Sequence, residues 1–388
     1  MKRGWWTLLM LVTAVNAAPR AIREHVDIHW TYDEQDGWTC LAKTEPDGGD
    51  FFEELDDVYF PIDDAPVPAG MRDFRPEEPS YDFTGVGPGD SVWVAGQQEL
   101  AGQVWVGFDN SQATGVFGSY QETDLRLSQA DRDMAQPWIK ITLVGVTYQG
   151  AGSGAFSLWR ENSVSSPSVW FSTSDNTQPD TYLFQAGSHT HVNWGFAAPG
   201  IYRVRLTASA YLGPGQSNPT PPSPEYVVTF AVGDFAQWQA SHFTGAELES
   251  AAICGPEADP DGDGMKNLVE FGFGLDPRKG TAAPLAEGLG LPKMTRTTVQ
   301  GVIYETLEYP RRRAGEQLAP LIYTPQFSAN LQAASWGQAG VITEVTDFPA
   351  ALDSLNPVWE KVTSKRSVGG GSTRGFGRVM LQSEVVQP

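Results

Sequence analysis

At 388 residues the chain is long enough for two or three hydrophobic cores. Its 41 glycines, 28 prolines and 13 tryptophans, with charged residues at only 19%, favour short strands and turns over long helices. A formal net charge of −21 excludes nucleic acid and anionic membrane as natural partners and suits divalent cations.

The N-terminus has the pattern of a secretory signal peptide over residues 1–18: a basic start at Lys2 and Arg3, an apolar run from Trp5 to Val15, and a small-residue site at Asn16-Ala-Ala-Pro19. The run is short for a bilayer span and no second long apolar stretch follows, so the expectation is an exported chain, extracellular or at the cell surface, with no transmembrane segment in its mature form. Cys40 and Cys254 are the only cysteines. They lie in separate predicted modules, so neither a cysteine-based zinc site nor a disulfide-stapled fold is available, and a bridge between them requires the modules to dock.

Residues 19–233 read as a β-sandwich. His25-Val-Asp-Ile-His-Trp-Thr-Tyr32 alternates as a first strand, Gly37-Trp-Thr-Cys-Leu-Ala42 as a second, and Asp33 to Gly37 as the turn between them. The acidic, proline-rich passage from Glu45 to Asp82 reads as a long surface excursion. Strands resume at Ser91, Val104, Trp138, Ala155, Val169 and Thr181, and the last runs from Tyr226 to Val232. Gly187 to Ala210 is predicted as a β-hairpin, with Val192, Trp194 and Phe196 in one arm. Pro199-Gly200 forms its turn, and Tyr202, Val204, Leu206 and Ala208 line one face of the other arm.

Alternation puts His189 and His191 on one side of their strand, with Thr190 opposite. Imidazoles at i and i+2 can share a cation; equally, such pairs occur as solvent-facing or hydrogen-bonded residues. On the first strand His25, Asp27 and His29 share a side in the same way.

Four stretches together carry a resemblance: His25-Val-Asp-Ile28, Asp82-Phe-Thr-Gly85 with Gly89-Asp-Ser-Val-Trp-Val94, Gly154-Ala-Phe-Ser-Leu-Trp159, and Gly187-Ser-His-Thr-His-Val-Asn-Trp-Gly-Phe196 with Pro199-Gly-Ile-Tyr202. In this order they resemble the choice-of-anchor M domain, a bacterial surface-anchored domain first noted as a repeat in actinobacterial wall proteins, over about residues 22–233. The resemblance implies an exported, surface-associated Ig-like β domain with no established reaction. Some relatives occur with metal-uptake transporters, which directs attention to His25, Asp27, His189, His191, Asn193 and Trp194 as the matching positions. Relatives tend to carry a further His-x-His in the second strand, where this chain has Cys40-Leu-Ala-Lys43. His29 is the residue placed to compensate.

Residues 234–280 change to helical spacing. Asp234 is a candidate N-cap with Phe235 and Trp238 on one face, His242 is expected at the surface, and Thr244-Gly-Ala-Glu247 is a capping-box pattern. Asp259-Pro-Asp-Gly-Asp-Gly-Met-Lys-Asn-Leu-Val-Glu270 fills every place of a calcium-loop template. Asp259, Asp261 and Asp263 supply carboxylates, Gly264 the sharp turn, Met265 its backbone carbonyl, Asn267 a direct or water-mediated contact, and Glu270 a bidentate closure. Hard oxygen donors select calcium over zinc. Gly255-Pro256 is incompatible with a long entering helix, so the segment resembles the dockerin-like and thrombospondin type 3 calcium loops between domains of exported bacterial proteins.

Residues 281–388 read as a small C-terminal β module. Gly280 to Pro292 is a linker, strands are expected at Val302–Tyr309, Leu321–Ser328 and Phe376–Leu381, and Arg311 to Arg313 form a basic strand end or a binding patch. Tyr309-Pro-Arg-Arg-Arg313, Tyr323-Thr-Pro-Gln-Phe-Ser-Ala-Asn-Leu331 and Trp336 resemble the module that follows such calcium loops in exported proteins of Verrucomicrobia and their relatives.

No Gly-x-Ser-x-Gly elbow, phosphate-binding loop or His-Glu-x-x-His is present in the sequence. The leading expectation is a non-enzymatic exported surface protein with a structural calcium, binding an unknown surface ligand or cell-envelope component. The second is a zinc or manganese capture protein using His25, Asp27, His189 and His191. A hydrolase or carbohydrate binder is the third.

Overall fold

The computed structural model describes residues 17–111, 115–162, 165–175, 177, 179–313, 321–355, 357–369 and 375–383. The basic start and apolar run read as part of a signal peptide therefore lie outside the described residues. The fold is mainly β. No helix among the described residues is long and apolar enough to cross a membrane.

Three sheets close around one core. The largest runs Arg20–Ala21, Val58–Ile62, Tyr226–Val232, Gly200–Gly213, Trp138–Gly150 and Thr181–Gln185, with Ser217–Pro219 beside Gly200–Gly213. A second runs Ser165–Ser172, Phe156–Asn162, Asn193–Phe196, Ser91–Ala95 and Arg72–Phe74; a third runs His189–His191, Trp105–Asp109, His25–Asp33, Gly37–Thr44 and Phe51–Glu53. Alternating inward residues from all three meet, among them Trp30, Phe108, Trp194, Phe196, Val204 and Phe230. Trp194 is fully buried against Phe108 and Phe230, and its indole N–H donates to the Val106 carbonyl at 3.3 Å.

The predicted hairpin of Gly187 to Ala210 is not one. Its first arm splits: His189–His191 pairs with the Trp105 strand, and Asn193–Phe196 pairs with Phe156–Asn162 and Ser91–Ala95 in the neighbouring sheet. After Pro199-Gly200 the chain crosses to the large sheet, where Gly200–Gly213 pairs with Trp138–Gly150 and Tyr226–Val232. The alternation itself holds, for Tyr202, Val204, Leu206 and Ala208 are all buried in the common core. What alternation does not encode is the strand's partner. Here the two apolar faces look at each other across the core, and the Tyr202 hydroxyl seals the crossing by donating to the Ala198 carbonyl at 2.9 Å.

The acidic passage from Glu45 to Asp82 is also more than a surface excursion. Val58–Ile62 is buried at every position and joins the large sheet in parallel with Tyr226–Val232. A strand covered on both faces has no alternation to reveal it.

Beyond the sandwich, Gly233 rather than Asp234 is the N-cap of the helix Asp234–His242, Asp234 being its first residue. Thr244 and Glu247 form the expected reciprocal capping box before a 3-10 turn. The C-terminal module is a four-stranded sheet, Lys293–Val299, Val302–Arg312, Trp359–Val368 and Val341–Thr346, beside the pair Leu321–Ser328 and Phe376–Ser383. Cys40 and Cys254 are buried free thiols.

Candidate metal centre

Three strands build the first site through register alone. His25, Asp27 and His29 stand opposite Trp105, Gly107 and Asp109 on the parallel neighbour, and on its other side Gly107 and Asp109 stand opposite His191 and His189. Residues directly opposite share a face, so the period of two carries all of these side chains to the same side of the sheet.

There the imidazoles converge. His189 Nε2 lies 3.2 Å from His25 Nε2, 2.9 Å from His191 Nε2 and 3.0 Å from Asp27 Oδ1. Asp27 Oδ2 is 3.5 Å from His25 Nε2, and Asp27 Oδ1 is 4.0 Å from His191 Nε2. Four donors around a zinc-class ion at about 2.0–2.1 Å would stand about 3.3 Å apart along tetrahedral edges, within the 2.9–4.0 Å range of these separations. The four residues form a cluster that could hold a metal ion. Asp27 is 1% exposed, and its Oδ1 has no well-formed hydrogen bond. A buried carboxylate is costly unless positive charge compensates it, here from the neighbouring imidazoles or a bound cation.

Electrostatics favour the ligating forms of His191 and Asp27 and oppose that of His189. Burial pushes the His191 imidazolium down to about 4, so the ring is neutral at pH 7. Burial also opposes ionisation of Asp27, but His189 and His25 outweigh it and hold the carboxyl below its ordinary value. The carboxylate beside His189 raises that imidazole in turn. His191 lies flat on Trp105, with ring centres 3.6 Å apart and planes 10° from parallel. Gly107 stands between Asp27 and His191; a Cβ there would intrude on Asp27 Oδ1 and sit 2.8 Å from His191 Cε1.

His25, Asp27, His189 and His191 are thus brought together, and His29 is not. His29 is buried one row along, with Nδ1 2.5 Å from Asp109 Oδ2. Asp109 lies 3.6 Å from Lys43 Nζ, which also reaches Glu45 and Asp50. Burial opposes the Asp109 charge, but His29 and Ser111 hold its carboxyl far below the usual range. Asn193 Oδ1 accepts from the Gln97 amide at 2.8 Å and Trp194 belongs to the core, so neither faces the cluster. Sequence reasoning missed Trp105, Gly107 and Asp109. Their signal is the alternation Trp-x-Gly-x-Asp, legible only once the strand's partners are known.

The second site is the loop 259–270. Asp259 accepts from the Gly262 and Gly264 amides at 2.9 Å each, Asp261 from Asp263 at 3.1 Å, and Asp263 from Met265 at 2.7 Å and from Ala282. Gly264 has φ of 92°, the conformation its place in the loop requires. The three aspartates form a second cluster that could hold a metal ion. Glu270 is 0% exposed, and both its carboxylate oxygens are buried without a hydrogen bond. Burial, then the charges of Asp261, Asp263 and Asp259, push its carboxyl up to about 8. Asn267 holds the loop's entry, its Nδ2 donating to the Ile253 and Gly255 carbonyls at 2.8 and 2.9 Å, while its Oδ1 has no protein partner. The Met265 side chain packs against the core of the C-terminal module.

No family model matches the chain, and no curated protein matches it.

The remaining candidates are structural. Arg311 pairs with Glu360 at 2.5 Å and Arg313 with Asp347, while Arg312 is enclosed by Phe271 and Trp359, so the three arginines form no exposed basic patch. His242 is half-buried, its Nδ1 2.8 Å from the Trp238 carbonyl oxygen, rather than lying at the surface.

Proposed function

We propose that this chain binds a divalent transition metal of the zinc class through His25, Asp27, His189 and His191. The observation that carries this reading is the convergence of three Nε2 atoms on one buried carboxylate at tetrahedral-edge spacing. Three imidazoles and a single carboxylate favour zinc over manganese, which seeks oxygen-rich octahedral sites. Four protein donors also occupy the position that a catalytic zinc leaves to water, which supports retention of a metal rather than a reaction on it. His189 is 39% exposed, so the ion would sit near the surface, where exchange with solvent is open.

The test is metal content by mass spectrometry after equilibration with limiting zinc, manganese and calcium, beside a His189→Ala/His191→Ala variant. One zinc in the parent and none in the variant supports the reading. No zinc in either sinks it.

A second reading is favoured by Glu270. On it, the loop 259–270 holds a structural calcium through Asp259, Asp261, Asp263, the Met265 carbonyl, Asn267 and Glu270, within an exported surface protein. The buried, unpartnered Glu270 carboxylate beside three aspartates is what supports a bound cation, and the resemblance to surface-anchored domains supports the location. Uptake of one calcium by the parent, lost in Glu270→Gln, tests it.

A further inference from the structure

The helix Asn267–Phe273 spends consecutive residues on three different tasks. Glu270 faces the loop carboxylates. Phe271 packs on Phe235 and Trp238, with ring centres 5.2 and 5.8 Å away, in a cluster that includes Tyr59, Ile201 and Ala231 of the sandwich. Gly272 and Phe273 belong to the C-terminal module: the Gly272 carbonyl accepts from the Tyr323 hydroxyl at 2.7 Å, and Phe273 lies in a cluster with Leu307, Tyr309, Phe327 and Val362. A side chain at position 272 would strike Leu381. Arg312 closes the joint, its guanidinium 3.7 Å from the Phe271 ring centre and 4.6 Å from that of Trp359, its Nε donating to the Phe271 carbonyl at 3.0 Å.

Seven residues therefore seat both bodies, and the helix cannot shift without disturbing the two clusters at once. On its loop side stand the clustered carboxylates of Asp259, Asp261 and Asp263 and the Glu270 carboxyl, wholly buried with neither oxygen hydrogen-bonded. Like charges crowded in a site of low polarity repel strongly unless a cation neutralises them.

We propose that calcium in the loop 259–270 locks the C-terminal module onto the sandwich, and that its removal releases Asn267–Phe273 and lets the two bodies separate. This rests on the calcium reading above and adds the coupling. Coupling is reciprocal: what calcium does for docking, docking must do for calcium affinity.

The experiment uses the full chain carrying His189→Ala/His191→Ala, so that a chelator acts on the loop alone. Calcium binding is measured by calorimetry, and the radius of gyration by small-angle scattering with calcium or with EGTA. Sites in extracellular modules hold calcium at about 10⁻⁴–10⁻³ M, so about 10 mM calcium suppresses a coupled opening about 10–100-fold. The expected result is a radius of gyration larger by roughly 3–5 Å in EGTA than the compact value for this length. Arg312→Met touches no loop residue and should weaken calcium about 10-fold. Tyr323→Phe, which removes only the hydroxyl that bonds Gly272, should weaken it in the same direction and guards against misfolding of the first variant. Calcium bound with an unchanged radius and unchanged affinity in both variants overturns the coupling and leaves the calcium reading standing. Absence of calcium uptake at 10 mM overturns both.

Discussion

Replacing Gly107 by alanine adds one methyl group and should empty the histidine site. The added carbon would intrude on Asp27 Oδ1, stand 2.8 Å from His191 Cε1 and 3.1 Å from His191 Nδ1. Restoring ordinary contact requires Asp27 to retreat by about 1 Å, whereas metal–ligand distances tolerate about 0.2 Å. At least one of four ligands is lost. Structural zinc sites bind with about 10–16 kcal/mol in small peptides, so an average ligand is worth about 3 kcal/mol, or roughly 100-fold in affinity. The strand itself should survive, since alanine is no worse than glycine in a ladder. Competition with a chromophoric chelator gives the affinity, cobalt absorption reports whether the shell remains tetrahedral, and thermal unfolding checks the fold. A variant that folds like the parent and binds zinc within fivefold of it refutes the argument that Gly107 makes room for the ligands.

Other measurements probe the frame. Trp194→Ala removes a fully buried indole at the meeting of the sheets and should cost about 3–5 kcal/mol in denaturant unfolding. Cys40 and Cys254 are buried and burial pushes both thiols up, so they should react with a thiol reagent only after unfolding. Asp234, at the head of the Asp234–His242 helix and lining a crevice with Arg312, is pushed up to about 6 by burial. A carboxyl raised on folding binds its proton more tightly in the native state, so stability should fall by about 1–3 kcal/mol as pH rises from about 4 to about 6. Asp234→Asn should flatten that slope, as read by urea unfolding across the range.

Much of the sandwich is legible in the sequence because polar and apolar side chains alternate with a period of two, as from His25 to Tyr32, where the polar residues Asp27 and His29 are themselves buried, and from Ile201 to Ala208. Val58–Ile62 escapes notice because burial on both faces removes the alternation. Partner choice escapes for a different reason. Asn193–Phe196 and Gly200–Gly213 have the local chemistry of a hairpin, and only the competition of all strands for one core sends them to different sheets. The clustered histidines are visible as a pair and as part of a triplet of alternating polar residues, but the glycine between them carries no mark of its place until register puts Gly107 opposite both Asp27 and His191. Likewise Glu270 fits a template, yet its burial without a partner is a property of the fold.

His25 and His189 touch across 164 residues of chain. A loop of that length is expensive to close and closes only when the sheets between are formed, so the cluster has no precursor in the unfolded chain and none in a partly synthesised one. A metal bound there, as proposed, could be taken up only once the sheets have formed, with abundance as well as intrinsic affinity deciding which ion is taken. With His189 39% exposed, an ion bound there as proposed would still exchange with the metals of the surrounding solution after the sheets have closed.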